Sequence, residues 1–287
     1  MNEIYAKFYN FLEIGDNYPT IVMGVLNLRP ESFYQGSVYD NAKKLELAIK
    51  NMINNGAAIL DLGARSTAPW SEKITIEEEI NRMESAMNDA CKIIPNNIIL
   101  SIDTQYRRVA QRALEISTKF KKKIIINDVS CLKTDPDLGD FIVENDLPII
   151  LMASKKVPGD LLTIDEIQHE FNKTIELMER RGYDGKKLIL DPGIGRWVDK
   201  KAPEFDLKII GNLTKLRSLK KPILVAISRK SFIGAILNVP EPEKRLNGSL
   251  SATAIAVYKG AHIVRTHDVN QQLTEIIKIA EQIRKSE

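Results

Sequence analysis

Residues 97–128 read NIILSIDTQYRRVAQRALEISTKFKKKIIIND. Two strand-length apolar runs, NIILSI (97–102) and KIIIND (123–128), bracket a longer stretch of helical spacing. Neither run alternates apolar with polar. Both are nearly continuous, as expected of parallel strands covered on both faces. The same unit recurs in both directions. Toward the N-terminus stand TIVMGVL (20–26) and AAILDL (57–62). Toward the C-terminus stand PIILM (148–152), KLILD (187–191), PILVAIS (222–228) and AHIVRTH (261–267). The gaps carry helical periodicity, with Leu45, Leu47, Ala48, Met52 and Ile53 in the first and Phe171, Ile175, Leu177 and Met178 in the fifth. Strand and helix alternating eight times predicts an α/β protein built as a single (β/α)8 TIM barrel. A doubly wound open sheet is the rival, and eight units without a break favour the barrel. No linker divides the chain. All 287 residues are therefore read as one domain, with residues 1–19 an N-terminal extension packing on the barrel.

The composition fits that reading and narrows the partners. Hydrophobic residues make up 44% and charged residues 28%, which excludes bulk disorder. Lys plus Arg number 41 against 38 Asp plus Glu, a net charge of +3. That is too little, and too dispersed, for a nucleic-acid partner. The two cysteines, Cys91 and Cys131, lie far apart, which excludes a disulfide scaffold and a Cys-rich zinc site. No apolar run reaches the ~20 residues of a membrane span. The N-terminus mixes Glu3, Lys7, Glu13 and Asp16 into its apolar residues and so does not read as a signal peptide. A soluble cytoplasmic protein with no membrane partner is expected.

Barrel active sites sit at the C-terminal ends of the strands. Strand one ends in Asn27, and strand two carries Asp61 into Gly63-Ala64-Arg65-Ser66-Thr67. Strand three ends in Asp103-Thr104, strand four in Asn127-Asp128 and strand five in Met152. Strand six ends in Asp191-Pro192-Gly193-Ile194-Gly195, strand seven in Ser228-Arg229-Lys230, and strand eight carries Arg265, His267 and Asp268. One such residue would be a loop cap; so many on one rim imply a site. Asp103, Asn127 and Asp191 suit a flat heterocycle with several N–H groups, because a carboxylate accepts two parallel N–H bonds. Arg265 and His267, two apart on a strand, face the same side. With Arg229 and Lys230 they suggest a claw for phosphate oxygens, which Asn27 would complete directly or through Mg2+.

These residues fall within motifs of a known family. MGVLNLRPESFYQG (23–36), DLGARSTAP (61–69), SIDT (101–104), IND (126–128), DPGIG (191–195), SRKSFIG (228–234), RLNGSLSATAIAVYKGA (245–261) and VRTHDV (264–269) resemble, in order, the signatures of the dihydropteroate synthases. The likeness covers nearly the whole chain. It implies condensation of 6-hydroxymethyl-7,8-dihydropterin pyrophosphate with an arylamine, releasing pyrophosphate. Asp103, Asn127, Asp191 and Lys230 match pterin-holding positions, and Met152 matches a residue lining that pocket. Asn27, Arg265 and His267 match pyrophosphate and Mg2+ positions, with Thr67 near them. Asp103, Lys230, Arg265 and His267 form the expected catalytic set. A homodimer is expected from the resemblance alone.

The departures gather on the acceptor side. The second loop has Arg65 before Ser-Thr rather than an arginine after it, and Pro69-Trp70 follows. Ala153-Ser154 replaces a His-Met pair, and Arg196-Trp197-Val198 replaces Phe-Gly-Lys. Arg65, Pro69, Arg196 and Ser228 are expected to meet the acceptor. Arg29, Arg65, Arg196 and Lys200 around that mouth raise the expectation of an acceptor larger than p-aminobenzoate, such as the ribofuranosylaminobenzene phosphate of methanopterin synthesis. Loop drift explains them equally well. Loops 28–40 and 64–76 are long and expected to be mobile. Two other functions stay open: a pterin-dependent methyltransferase, which has little use for a pyrophosphate claw, and a catalytically silent pterin-binding protein.

Overall fold

A computed structural model describes residues 3–28, 42–65 and 73–286. Eight parallel strands form the barrel, and each of the expected apolar runs supplies one. They are β3 (Ile21–Asn27), β4 (Ala57–Gly63), β5 (Ile99–Asp103), β6 (Lys123–Asp128), β7 (Ile149–Met152), β8 (Leu188–Asp191), β9 (Leu224–Ala226) and β10 (Ile263–Thr266). Their order is β8-β7-β6-β5-β4-β3-β10-β9. A parallel bridge between Leu190 and Ile223 closes the ring, with the Leu190 N–H donating to the Pro222 carbonyl at 2.9 Å.

Helices cover the outside: α1 (Ala42–Asn54), α2 (Ile76–Ile93), α3 (Arg107–Lys119), α4 (Asp137–Glu144), α5 (Ile164–Arg180), α6 (Pro203–Gly211), α7 (Ser231–Leu237), α8 (Leu246–Tyr258) and α9 (Gln271–Lys285). Local sequence sets their starts. Thr75 and Glu78 form a reciprocal capping box at α2, and Thr163 and Glu166 do the same at α5. The strands read as continuous apolar runs because alternate residues enter two different cores. In β6, Ile124 and Ile126 pack outward against helices, while Ile125 points into the barrel.

The inner core contains the N-terminal extension. β1 (Tyr5–Phe8) and β2 (Leu12–Gly15) form an antiparallel hairpin. Its Ala6, Phe8, Leu12 and Ile14 join Met23, Ile59, Ile99, Ile125, Ile150, Ile189, Leu224, Ala226 and Ile263 in one cluster. Alternate burial in Tyr5–Phe8 puts the apolar side chains inward and Tyr5 and Lys7 outward. The hairpin thus stoppers the end of the barrel opposite the strand C-termini.

A buried polar knot fastens this stopper. Asp16 accepts from Arg217 at 2.6 and 2.9 Å and from the Ile4 N–H at 2.8 Å. The Ile223 N–H donates to His262 Nδ1 at 3.1 Å, so Nε2 carries the proton toward Asp16 at 3.2 Å. Burial opposes ionisation of Asp16, but hydrogen bonds from His262, Arg217 and Ile4 outweigh it and hold the carboxyl well below its usual range. Burial pushes the His262 imidazole down, so the folded protein favours its neutral form. Both depressed values make the unfolded chain bind more protons in acid. The His262 contribution is present above about pH 6.5 and is lost as pH falls below it. The Asp16 contribution is present above about pH 4 and is lost below that. Urea unfolding of the parent and of a His262→Gln variant from pH 7 to 5 is therefore expected to show a parent that loses more, or gains less, stability with acid than the variant, by at most about 1.4 kcal/mol per pH unit. Identical pH slopes in the two proteins would contradict the knot.

Among the described residues no helix is long and apolar enough to cross a membrane. Cys91 and Cys131 are both buried and free.

Candidate active site

Strand register brings the polar ends together. Asn27, Gly63, Asp103 and Asn127 stand side by side across β3, β4, β5 and β6. Gly63 is the spacer: a Cβ there would lie 3.5 Å from Asp103 Oδ2 and 3.9 Å from Asn27 Oδ1. Across the ring, Met152 pairs with Asp191 in register. Met152 is fully buried, and its Cγ would lie 3.3 Å from a Cβ on Gly193.

Arg265 reaches into this layer from β10. Its Nε donates to Asp61 Oδ2 at 2.7 Å, and its Nη2 lies 2.6 Å from the same oxygen. Nη2 also donates to Asp103 Oδ2 at 3.1 Å. Asp61, with no exposed surface, further accepts from Asn127 Nδ2 at 3.3 and 3.4 Å. Asp61 is therefore the hub that links the expected pterin group to the expected anion group. Sequence alone gives Asp61 no role, because it lies inside an apolar run. The available signal was its parity: it shares the inward face with Gly63, two residues on.

On the opposite wall, Asp191 Oδ1 accepts from the Gly193 N–H at 2.8 Å. Gly193 (φ 73°) and Gly195 (φ 120°) both adopt left-handed backbone that glycine tolerates. Nothing in the sequence marks Lys201 as part of this wall. It is buried to 2% exposure, donates from Nζ to the Gly193 carbonyl at 2.6 Å, and pairs with buried Asp206 at 3.2 Å. Asp206 in turn accepts from the Gly195 N–H at 2.9 Å. The turn after β8 is thus fastened at both glycines. Burial pushes the Asp191 carboxyl up, against the Gly193 N–H and the charges of Lys230, Arg265 and Lys201. Burial, with Arg265 adding to it, pushes the Lys230 ammonium down to about 8, while Asp191 and Asp206 work to raise it. The Lys230 ammonium lies 5.0 Å from the centre of the Trp197 ring.

Several expected acceptor and anion contacts have other partners. Arg65 is held by buried Glu79 at 2.5 Å, because a carboxylate without exposure needs a cation. Ser228 faces strand eight: its Oγ accepts from the His267 N–H at 3.3 Å and lies 3.1 Å from His267 Nδ1. Arg229 pairs with Asp268 at 2.7 and 2.8 Å and donates to the Pro242 and Glu243 carbonyls. It therefore braces a loop. Arg196 is exposed and lies 3.4 Å from Asp199. Thr67, Pro69 and Arg29 lie outside the described residues, as does most of both long loops.

The rim therefore sets two carboxylates and an amide beside a guanidinium, at the open end of a stoppered barrel. Residues 23–267 match the family model described as "Pterin binding enzyme". The chain belongs to this family. It is 34% identical to the dihydropteroate synthase of Bacillus subtilis over 88% of its length and 85% of the relative's. It is 32% identical to that of Escherichia coli, covering 91% and 90% of the two chains. The solved Coxiella burnetii dihydropteroate synthase in complex with pteroic acid superposes with a TM-score of 0.84. It has 30% identity, with 99% of this chain and 100% of that one covered. The Xanthomonas albilineans enzyme with 4-aminobenzoic acid gives 0.82 at 25% identity, covering 99% of each. This member of the family is an enzyme of the dihydropteroate synthase type, a transferase that forms a C–N bond. The methyltransferase and silent-binder readings give way to it.

Proposed function

We propose that the rim divides the labour of one condensation. Asp191, Asn127 and Asp103 accept from the pterin's N–H edge, with Lys230 and Met152 lining the same pocket. Arg265, His267 and Asn27 take the pyrophosphate, with Thr67 joining from the second loop. The C–O bond breaks first and its electron pair leaves with pyrophosphate. The resulting carbon cation is stabilised by the pterin ring, and the arylamine nitrogen then attacks it and loses a proton. The observation that carries this is the 3.1 Å contact between Asp103 and Arg265. It puts negative charge beside the developing cation and positive charge beside the departing anion, and fixed charges of this kind stabilise a transition state strongly in a dry site.

Asn27 offers the Mg2+ donor. Among the described residues no group of three or more His, Cys, Asp or Glu side chains is arranged to hold a metal. A single buried amide oxygen suits an ion that arrives on the pyrophosphate, since Mg2+ keeps phosphate and water oxygens around it. When bound, it would neutralise charge on the leaving group.

The acceptor in this proposal is p-aminobenzoate, in folate synthesis. Support comes from the Xanthomonas structure and from Arg65, whose charge goes to Glu79 rather than to an acceptor phosphate. Arg196 and Lys200, both exposed, are what remains of the case for the ribofuranosylaminobenzene phosphate of methanopterin synthesis. The test is pyrophosphate release from the pterin pyrophosphate with each arylamine. Release with p-aminobenzoate, matched mole for mole by product, is expected. No release, or release only with the ribosyl compound, would overturn the assignment.

The protein is further proposed to pair through α8 and α9. Exposed Ile255, Ile279 and Ile283 flank an apolar groove between these helices, floored by Ala254, Ile276 and Ala280. Light scattering giving twice the chain mass would support this.

A further inference from the structure

A second charged cluster lies just behind the rim. Glu79, on α2, has no exposed surface. Its two oxygens serve two different strand ends. Oε2 accepts from Arg65 Nε, just after β4, at 2.5 Å. Oε1 accepts from Thr104 Oγ1, just after β5, at 2.6 Å. The Arg65 guanidinium also stacks 5.0 Å from the Tyr106 ring centre. The Tyr106 N–H closes back on Thr104 Oγ1 at 3.3 Å, and the Thr104 N–H donates to the Asn127 carbonyl at 3.1 Å. The hydroxyl and the N–H of Thr104 are thus both engaged by protein groups, and the residue before it is Asp103.

A structural anchor for the second loop would need only Arg65 and Glu79. The bond to Thr104 carries the cluster one residue further, to the backbone that aims the Asp103 carboxylate. That carboxylate must keep its 3.1 Å contact with Arg265 while facing the reacting carbon. A misplacement of about 1 Å at such a group costs about 100-fold in rate.

We infer that Arg65, Glu79 and Thr104 form a positioning unit that sets Asp103 for the transition state, and that Arg65 does not touch the acceptor. The inference rests on the proposed role of Asp103. Thr104→Val keeps the side-chain shape and removes the bonds to Glu79 and Tyr106. It is expected to lower kcat about 10-fold, with the KM for p-aminobenzoate changed less than twofold. Arg65→Met is expected to act in the same direction, and Arg65→Lys to recover most of the loss. The deciding measurement is Thr104→Val in an Asp103→Asn background, with each variant's folding checked by circular dichroism. A unit acting through Asp103 has no further effect on kcat there, whereas a general loosening of the fold lowers kcat again.

Three results would overturn the inference. One is full additivity in the double variant. Another is wild-type kcat in Thr104→Val while Asp103→Asn is impaired. The third is an Arg65→Met variant whose only change is a raised KM for p-aminobenzoate. Wild-type turnover in Asp103→Asn would instead overturn the role proposed for Asp103 itself.

Discussion

Arg265→Ala is expected to lower kcat/KM by about 100-fold or more and to destabilise the fold by about 3–5 kcal/mol. The two losses have one origin. Asp61 has no exposed surface, and Arg265 supplies its short contacts, at 2.6 and 2.7 Å. The remaining bonds, from Asn127 at 3.3 and 3.4 Å, are long and come from a neutral amide. Deleting the guanidinium strands a buried carboxylate and leaves Asp103 without that partner. Read from sequence, Arg265 belongs to the anion group, and its removal spares binding of free pterin. The structure alters that expectation, because Asn127 and Asp103 are tied to Arg265 through Asp61 and by direct contact. Free pterin should bind several-fold more weakly, while pyrophosphate loses a charge-assisted bond worth about 1.5–3 kcal/mol. Calorimetric titration of each ligand separates these effects, and urea unfolding measures the stability loss. Adding Asp61→Asn to Arg265→Ala should restore much of the stability and little of the turnover. An Arg265→Ala protein of unchanged stability would refute the hub.

Asp191→Asn is expected to weaken pterin binding about 100-fold, since a carboxylate that accepts two parallel N–H bonds becomes an amide that presents one acceptor and one donor. It should also move the pH profile. The Lys230 ammonium sits near 8, depressed by burial and by Arg265 and propped up by Asp191 and Asp206. Removing the Asp191 charge takes away a prop, so Lys230 deprotonates at lower pH. If its ammonium assists the reaction, kcat/KM in the parent enzyme declines through an alkaline limb near 8, and the limb shifts to lower pH in the variant. A limb that stays in place would remove Lys230 from the assignment.

The parts of this site that sequence reveals are those that end strands. A run such as NIILSID advertises Asp103 because a charge terminates a segment covered on both faces, and register then places it beside Asn27 and Asn127. Asp61 has the same inward aspect one layer down, where sequence offers only an unexplained carboxylate among leucines. Glu79 is harder still. It closes the Glu77-Glu78-Glu79 run in the first turn of α2, which reads as a solvated, dipole-favoured helix start. Its burial follows from how the helix sits on the barrel. Arg65 reads from sequence as a residue of the mouth because loop position alone cannot show which way a long side chain turns. For residues 1–19 the sequence yields only an extension packing on the barrel; the hairpin, with Tyr5, Ala6, Lys7 and Phe8 alternately out and in, takes its seat from eight distant strands.

That seat has a consequence for traffic. With Phe8 and Ile14 corking the far end, the barrel is a cul-de-sac, and every molecule enters and departs by one doorway. On the proposed assignment the pterin, held at the strand ends by Asp103, Asn127 and Asp191, would go in first, and an arylamine already standing at that doorway would bar its way. Excess arylamine should therefore slow the enzyme when pterin is scarce and cease to do so when pterin is plentiful.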